Sequence, residues 1–304
     1  MSSRNFIQLS DLGEGGILRA LDSADHFLST RGTPEHPRPL VGKSVALVFQ
    51  KASTRTRMSL EIAVSELGGH PVVMTASGSQ LGRGEPVKDT ARVLGRMVHG
   101  ITFRTFSHDD LMEMVNYAGV PVLNALTDAG HPMQILADLQ TVRRKVGRLD
   151  GLKYCWLGDG NNMANSWIEA AGLLGLDLAL ACPEGYDPDP AVVATAKDRG
   201  GRVTVVRRPE QAIEAADVVS TDVFTSMGQE AESAARLEAF AGYELNETLL
   251  AKGAAECIVL HCLPAHRGEE ISEAVLEGPR SVVWDEAEAR LHTSKALFAW
   301  AFGA

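Results

Sequence analysis

Between a short β-like run, Ser44-Val45-Ala46-Leu47-Val48, and a helix-like one lies Phe49-Gln50-Lys51-Ala52-Ser53-Thr54-Arg55-Thr56-Arg57. Hydroxyl side chains at a helix start satisfy backbone N–H groups that have no intrahelical acceptor, and acids there complement the positive end of the dipole. Here Arg55 and Arg57 occupy the first turn instead. Two cations repel that end of a helix unless an anion sits among them. The economical chemistry is phosphate binding, with strand, tight turn, hydroxyls, arginines and N–H groups converging on one anion. A solvated helix start with surface arginines is the plainer alternative.

Further clusters fall along the chain. Arg104 in Phe103-Arg104-Thr105 is a second strand-end cation, for an anion or for a surface carboxylate. His131 stands just before Pro132, a residue suited to a first helical position, so the imidazole can donate to a carbonyl oxygen or merely cap the helix. Gly158-Asp159-Gly160-Asn161-Asn162 imitates a dinucleotide fingerprint, but Met163 stands where the third glycine belongs and Asp177 precedes the second strand. That excludes a convincing nicotinamide site. Gly42-Lys43-Ser44 precedes a strand and has Pro37 in place of the first glycine of a nucleotide loop. Asp222 and Ser226 share a loop that could hold an ammonium, unless Ser226 only caps a helix.

In His261-Cys262-Leu263-Pro264-Ala265-His266-Arg267-Gly268, the thiol beside an imidazole could be a nucleophile, a base or half a metal site. Two further metal ligands are lacking, and alternation along a strand should turn His261 to the opposite face. A polar group gripping an amine asks least of Cys262. Arg290 in Glu288-Ala289-Arg290-Leu291-His292 reads by default as a surface residue.

The elements that must position these residues alternate. Strands are expected near 44–50, 71–75, 100–105 and 121–123, then near 153–158, 177–181, 202–206, 217–221, 257–261 and 282–284, with helices between. Leu60, Val64 and Leu67 mark the buried face of the first of these helices. Such alternation predicts an α/β chain of two domains, each a parallel sheet flanked by helices on both faces. The domains are expected at 1–140 and 141–285, with a C-terminal helix over 286–304 packing back on the first. Every polar cluster follows an expected strand, where α/β sheets bind ligands.

The 304 residues suffice for two domains, and no stretch is apolar over the length of a membrane span. A net charge of −10 argues against general nucleic-acid binding, so an anionic substrate needs a local basic pocket. No apolar segment follows Met1-Ser2-Ser3-Arg4-Asn5, and Cys155, Cys182, Cys257 and Cys262 show no C-x-x-C spacing. Free thiols in the cytoplasm are expected.

The order of motifs resembles that of the carbamoyltransferases: Ser53-Thr54-Arg55-Thr56-Arg57, Phe103-Arg104-Thr105, His131-Pro132-x-Gln134, Asp222-x-x-x-Ser226-Met227-Gly228 and His261-Cys262-Leu263-Pro264. The last two resemble the ornithine-specific branch, and the match runs from about residue 5 to the C-terminus. The resemblance implies a carbamoyl-phosphate domain followed by an ornithine domain, assembled as trimers or multiples of trimers with shared sites. It implies phosphate contacts from Ser53, Thr54, Arg55, Thr56 and Arg104, and carbamoyl contacts from His131 and Gln134. Gln80 would reach in from a neighbouring subunit, and Arg290 with the backbone of Cys262 and Leu263 would complete the pocket. Asn162, Asp222, Ser226 and Met227 would hold the amino-acid end of L-ornithine, with Cys262 against its side-chain amine. The implied reaction gives L-citrulline and phosphate without a metal or organic cofactor, and belongs to arginine metabolism. Gln50, Met133 and Phe224 depart from the usual Glu, Cys or Thr, and Trp. Another amine (putrescine, N-acylornithine or aspartate) and a non-catalytic phosphate-binding protein are the competing expectations.

Overall fold

The computed structural model describes residues 4–226 and 228–304. The chain forms two compact units: residues through Gln140 together with Glu288–Ala304, and Thr141–Ala287.

In the first unit, α1 (Gly13–Ser29) precedes β1 (Ser44–Phe49), α2 (Arg55–Glu66), β2 (His70–Thr75), α3 (Val87–Leu94), β3 (Gly100–Arg104), α4 (His108–Ala118) and β4 (Val122–Leu126). The four strands form one parallel sheet in the order β2-β1-β3-β4. β1, β3 and β4 are buried on both faces, as strands covered by helices on either side must be. The face of α2 that carries Leu60, Ala63, Val64 and Leu67 is fully buried. A second cluster joins Ala46, Val48, Ile101 and Phe103 of the sheet to Ala91 of α3 and Met114 of α4.

α5 (Pro132–Val146) crosses the boundary between the units. The second unit continues with β5 (Lys153–Leu157), α6 (Asn162–Leu174), β6 (Asp177–Ala181), α7 (Pro190–Asp198), β7 (Arg202–Val206), α8 (Pro209–Ile213) and β8 (Val218–Thr221). α9 (Ser233–Ala239), α10 (Glu247–Leu250), β9 (Ile258–His261), α11 (Glu273–Leu276) and α12 (Val283–Phe302) follow. The parallel sheet has the order β7-β6-β5-β8-β9.

One expected strand does not form. Val282-Val283-Trp284 has a strand-like composition, but only Ser281 makes an isolated bridge, to Val259, before α12 begins at Val283. Asp285 and Glu286 in the first turn of α12 complement its dipole, and the N–H of Glu286 already donates to Val282 O at 2.9 Å. α12 therefore starts three residues before the expected 286. Within the first unit it is tied to α2, where the fully buried Lys295 ammonium meets Glu66.

Both sheets reverse direction once. In the first, the chain goes from β1 outward to β2 and returns beyond β1 to β3; in the second, it goes from β5 through β6 to β7 and returns beyond β5 to β8. A crevice must open at the carboxyl ends of each such strand pair. The loops there begin at residues 50 and 105 in one unit and at 158 and 222 in the other.

Candidate functional site

In the first unit, the pairing of Phe49 with Arg104 brings the loop after β1 against the end of β3, and Gln50 N–H extends the ladder to Arg104 O at 2.8 Å. The Gln50 side-chain oxygen accepts from the Thr105 hydroxyl, so this departure from the usual Glu keeps the two loops joined. Thr54 has helical backbone angles and an exposed side chain. Ser53 does the capping instead, its Oγ accepting from Thr56 N at 3.2 Å.

Thr56 is the meeting point. Its buried Oγ1 accepts from Arg290 Nη2 at 2.6 Å and from Arg104 Nη1 at 3.5 Å. Arg104 and Arg290 are themselves buried, so Arg290 is not the surface residue that its sequence context suggests. A register shift between Phe103 and Arg104 in the β3–β4 pairing helps aim the Arg104 side chain. Arg55 is half-buried, and its Nε is enclosed without a hydrogen-bond partner, an arrangement that favours an incoming acceptor.

Arg57 is a correction. It does not turn to this cluster but pairs with Glu61 one helical turn on, at 3.4 Å on the exposed face of α2. The i, i+4 spacing gives it a partner that Arg55 lacks.

His131 lies just before α5, its carbonyl accepting from Gln134 N at 3.0 Å, while its ring is buried. Burial pushes its pKa well below 6.5, and the Arg290 and Arg104 charges push the same way. The ring is therefore neutral and keeps one N–H to donate. Gln134 is buried, its amide nitrogen on Asp138 at 2.8 Å. Gln80 stands apart: its side chain is exposed and makes no hydrogen bond to these groups.

The second unit assembles another polar group. Asp222, just beyond β8, is buried; its Oδ1 accepts from Val223 N at 2.8 Å and from Cys262 Sγ at 3.1 Å, and its Oδ2 from Asn161 Nδ2 at 3.3 Å. Asn161 is also the cap of α6, accepting from Met163 N and Ala164 N. Asn162 is the first residue of the helix, half-buried beside it. Ser226 N–H bonds Gln229 Oε1 at 3.0 Å, and no hydrogen bond joins Ser226 to Asp222. Met227 lies outside the described residues.

His261 departs from the alternation expected of it. One of its ring nitrogens lies within 4.8 Å of both the Cys262 sulfur and an Asp222 carboxylate oxygen. The strand ends at His261, and Leu263 takes φ +57°, so strand geometry no longer governs this turn. Both ring nitrogens are engaged, one with Leu263 N at 2.9 Å and the other with Glu270 Oε1 at 3.0 Å. Asp222, His261 and Cys262 thus do not offer three open ligands to a metal.

Two residues went unrecognised from sequence. Asn161 could have been found as an asparagine directly before a helical pattern. Arg236 had no such signal. It is buried, its Nε donates to Phe224 O at 2.6 Å, its Nη2 meets Asp159, and its guanidinium lies 4.8 Å from the Tyr186 ring centroid. It thereby ties the 222–226 loop to the 158–162 loop. Burial raises the pKa of Asp159, which the Arg236 charge opposes. Phe224, where the resemblance leads one to expect Trp, stacks on Phe240 at 4.6 Å.

Residues 4–144 match the carbamoyl-P binding domain model of aspartate/ornithine carbamoyltransferase, and residues 150–301 match the Asp/Orn binding domain model of the same family. The chain belongs to the aspartate/ornithine carbamoyltransferase family. Among relatives of this carbamoyltransferase chain, the ornithine carbamoyltransferase of Geobacter metallireducens is 56% identical, covering 88% of each chain. That of Acidothermus cellulolyticus is 54% identical over 98% of this chain and 96% of its own. Ornithine carbamoyltransferase from Pyrococcus furiosus superposes with a TM-score of 0.94 at 42% identity, covering 100% of this chain and 98% of that one.

Proposed function

We propose that the protein is an ornithine carbamoyltransferase, moving the carbamoyl group of carbamoyl phosphate to the side-chain amine of L-ornithine and releasing L-citrulline and phosphate. The observation that carries this reading is the convergence of Arg104 and Arg290 on Thr56, the residue that follows Arg55, whose enclosed Nε lacks an acceptor. The relatives' shared name supplies the choice of amine.

The charges dictate the mechanism. Carbamoyl phosphate presents an electrophilic carbonyl and a phosphate leaving group. Ser53, Thr54, Arg55, Thr56 and Arg104 bind the phosphate, with Arg290 and, from another subunit, Gln80. Arg104, Thr56 and neutral His131 polarise the carbonyl oxygen as the tetrahedral centre forms, and Gln134 holds the carbamoyl nitrogen. On the ornithine side, Asn162, Asp222, Ser226 and Met227 hold the amino-acid end. The side-chain amine attacks only when neutral, and Cys262 with Asp222 provides the environment that takes its proton. The backbone of Cys262 and Leu263 completes the carbamoyl-phosphate contacts. The chemistry calls for no metal or organic cofactor. We place the protein in the cytoplasm, in arginine metabolism, as a homotrimer or a multiple of trimers. The exposed Gln80 side chain supports the last of these.

The test is carbamoylation with labelled carbamoyl phosphate, offering ornithine, putrescine, N-acetylornithine and aspartate in parallel. Ornithine should be used in strong preference. A preference for any of the others would overturn the choice of amine, and binding of carbamoyl phosphate without turnover on any amine would overturn the enzyme.

A further inference from the structure

Two buried groups beside the thiol have no role in the chemistry above. His261 is 1% exposed and Glu270 is 0% exposed. Leu263 N–H donates to His261 Nδ1 at 2.9 Å, so Nδ1 carries a lone pair and no proton. The ring proton is then on Nε2, which donates to Glu270 Oε1 at 3.0 Å. The same carboxylate oxygen accepts His266 N–H at 2.6 Å, and the backbone N–H of His261 donates to Glu286 Oε2 at 2.8 Å.

These bonds hold the segment Cys262–Ala265 at both ends. Within it Leu263 has φ +57°, a conformation unfavourable for a residue with a β-carbon that persists only where the surroundings impose it. The Leu263 N–H fixed by the ring adjoins the Cys262 carbonyl, and the Cys262 sulfur is fixed in turn by Asp222.

Thiol, imidazole and carboxylate in sequence resemble the relay that activates a cysteine nucleophile. That relay needs a ring nitrogen with a lone pair facing the thiol. Here the one lone pair is occupied by a backbone N–H, and the other nitrogen faces the carboxylate. We infer that His261 and Glu270 are a positioning pair, which sets the backbone of Cys262 and Leu263 for carbamoyl transfer and moves no proton. The inference rests on the reading that Cys262 and Leu263 meet the substrates.

The test begins with the unaltered protein. Imidazole nitrogen NMR, with His261 assigned by loss of its signal in His261→Asn, should show the Nε2–H tautomer, with Nδ1 accepting and unprotonated. An Nδ1–H tautomer would overturn the pair as drawn. Glu270→Gln keeps a carbonyl oxygen for both donors, whereas Glu270→Ala removes it. Glu270→Ala should lower kcat/KM for ornithine by about 100-fold, the scale of a small misplacement of reacting groups, without reshaping the pH profile. Glu270→Gln should stay within about threefold of the parent, since both hydrogen bonds survive. Equal losses in the two variants together with a missing limb of the pH profile would show a proton relay and sink the proposal. If Glu270→Ala does not fold, the Gln variant and the NMR measurement still decide. Failure of the unaltered protein to make citrulline would instead count against the functional reading, with the tautomer measured independently.

Discussion

Thr56 shows how a small side chain organises a cationic site. One hydroxyl oxygen has lone pairs for two donors, and here two guanidinium groups from distant parts of the sequence take them, while the hydroxyl proton stays available to a ligand. The same two cations act on His131. With burial and both charges opposing protonation, the imidazole should remain neutral well below pH 6.5. Its nitrogen NMR signals should therefore show no titration between about pH 6 and about pH 7, the range in which an ordinary histidine takes up its proton. An imidazolium at pH 6 would remove His131 as a neutral donor to the carbonyl. At this scale the sequence was partly legible. Arg55, Thr56, Arg104 and His131 announce themselves by type and by position after strands. Arg57 did not belong with them, because only three-dimensional facing separates a residue that meets Glu61 from one that does not. Arg236 was invisible, since a lone arginine in an acidic helix looks like any surface residue until its contacts with Phe224 and Asp159 are known.

Elements carry these residues to their places, and two of them make separate predictions. On α12, the His292 ring is buried with its Nε2 3.6 Å from Glu288 Oε1, and burial first, then Lys295, lowers its pKa to about 4 against the opposing pull of Glu288. An unfolded chain binds this proton below about pH 6.5 while the folded chain refuses it until about pH 4, so stability falls as the pH drops through that window. His292→Phe should flatten the decline in thermal midpoint between pH 6.5 and pH 4 relative to the parent; an unchanged slope would contradict the assignment. In the loop after β5, a β-carbon on Gly160 would lie 2.1 Å from Pro188 N and 2.3 Å from Asp187 C, both backbone atoms. Gly160→Ala must displace the segment that presents Asn161 and Asn162, and should raise KM for ornithine by about tenfold or more while leaving KM for carbamoyl phosphate near the parent value. Equal KM values for ornithine in the two proteins would refute it. The glycine that imitated a nucleotide fingerprint is thus there for close backbone approach. Nine strands were legible because apolar runs bounded by polar turns leave little choice in a buried parallel sheet. The tenth failed at Val282-Val283-Trp284, where two following acids favour a helix start over the local β-forming composition.

For the whole molecule, the excess of acidic residues makes the convergence of Arg104 and Arg290 on Thr56 a built feature rather than a general basic character. The proposed sharing of sites between subunits predicts complementation. Arg55→Ala and Gln80→Ala subunits, each strongly impaired alone, should regain activity after dissociation and mixing if Gln80 serves a neighbouring subunit. No recovery from mixed subunits of confirmed trimeric mass would place Gln80 outside the site. Gripping a phosphate dianion while an amine displaces it is the claim on which the functional account stands, and steady-state citrulline formation by Arg55→Ala and Arg104→Ala tests it most directly. Each variant should lose transition-state stabilisation of about 3 kcal/mol, a fall in kcat/KM of about two orders of magnitude, as when one donor to a developing charge is removed. Near-parent rates in folded samples of both variants would contradict it.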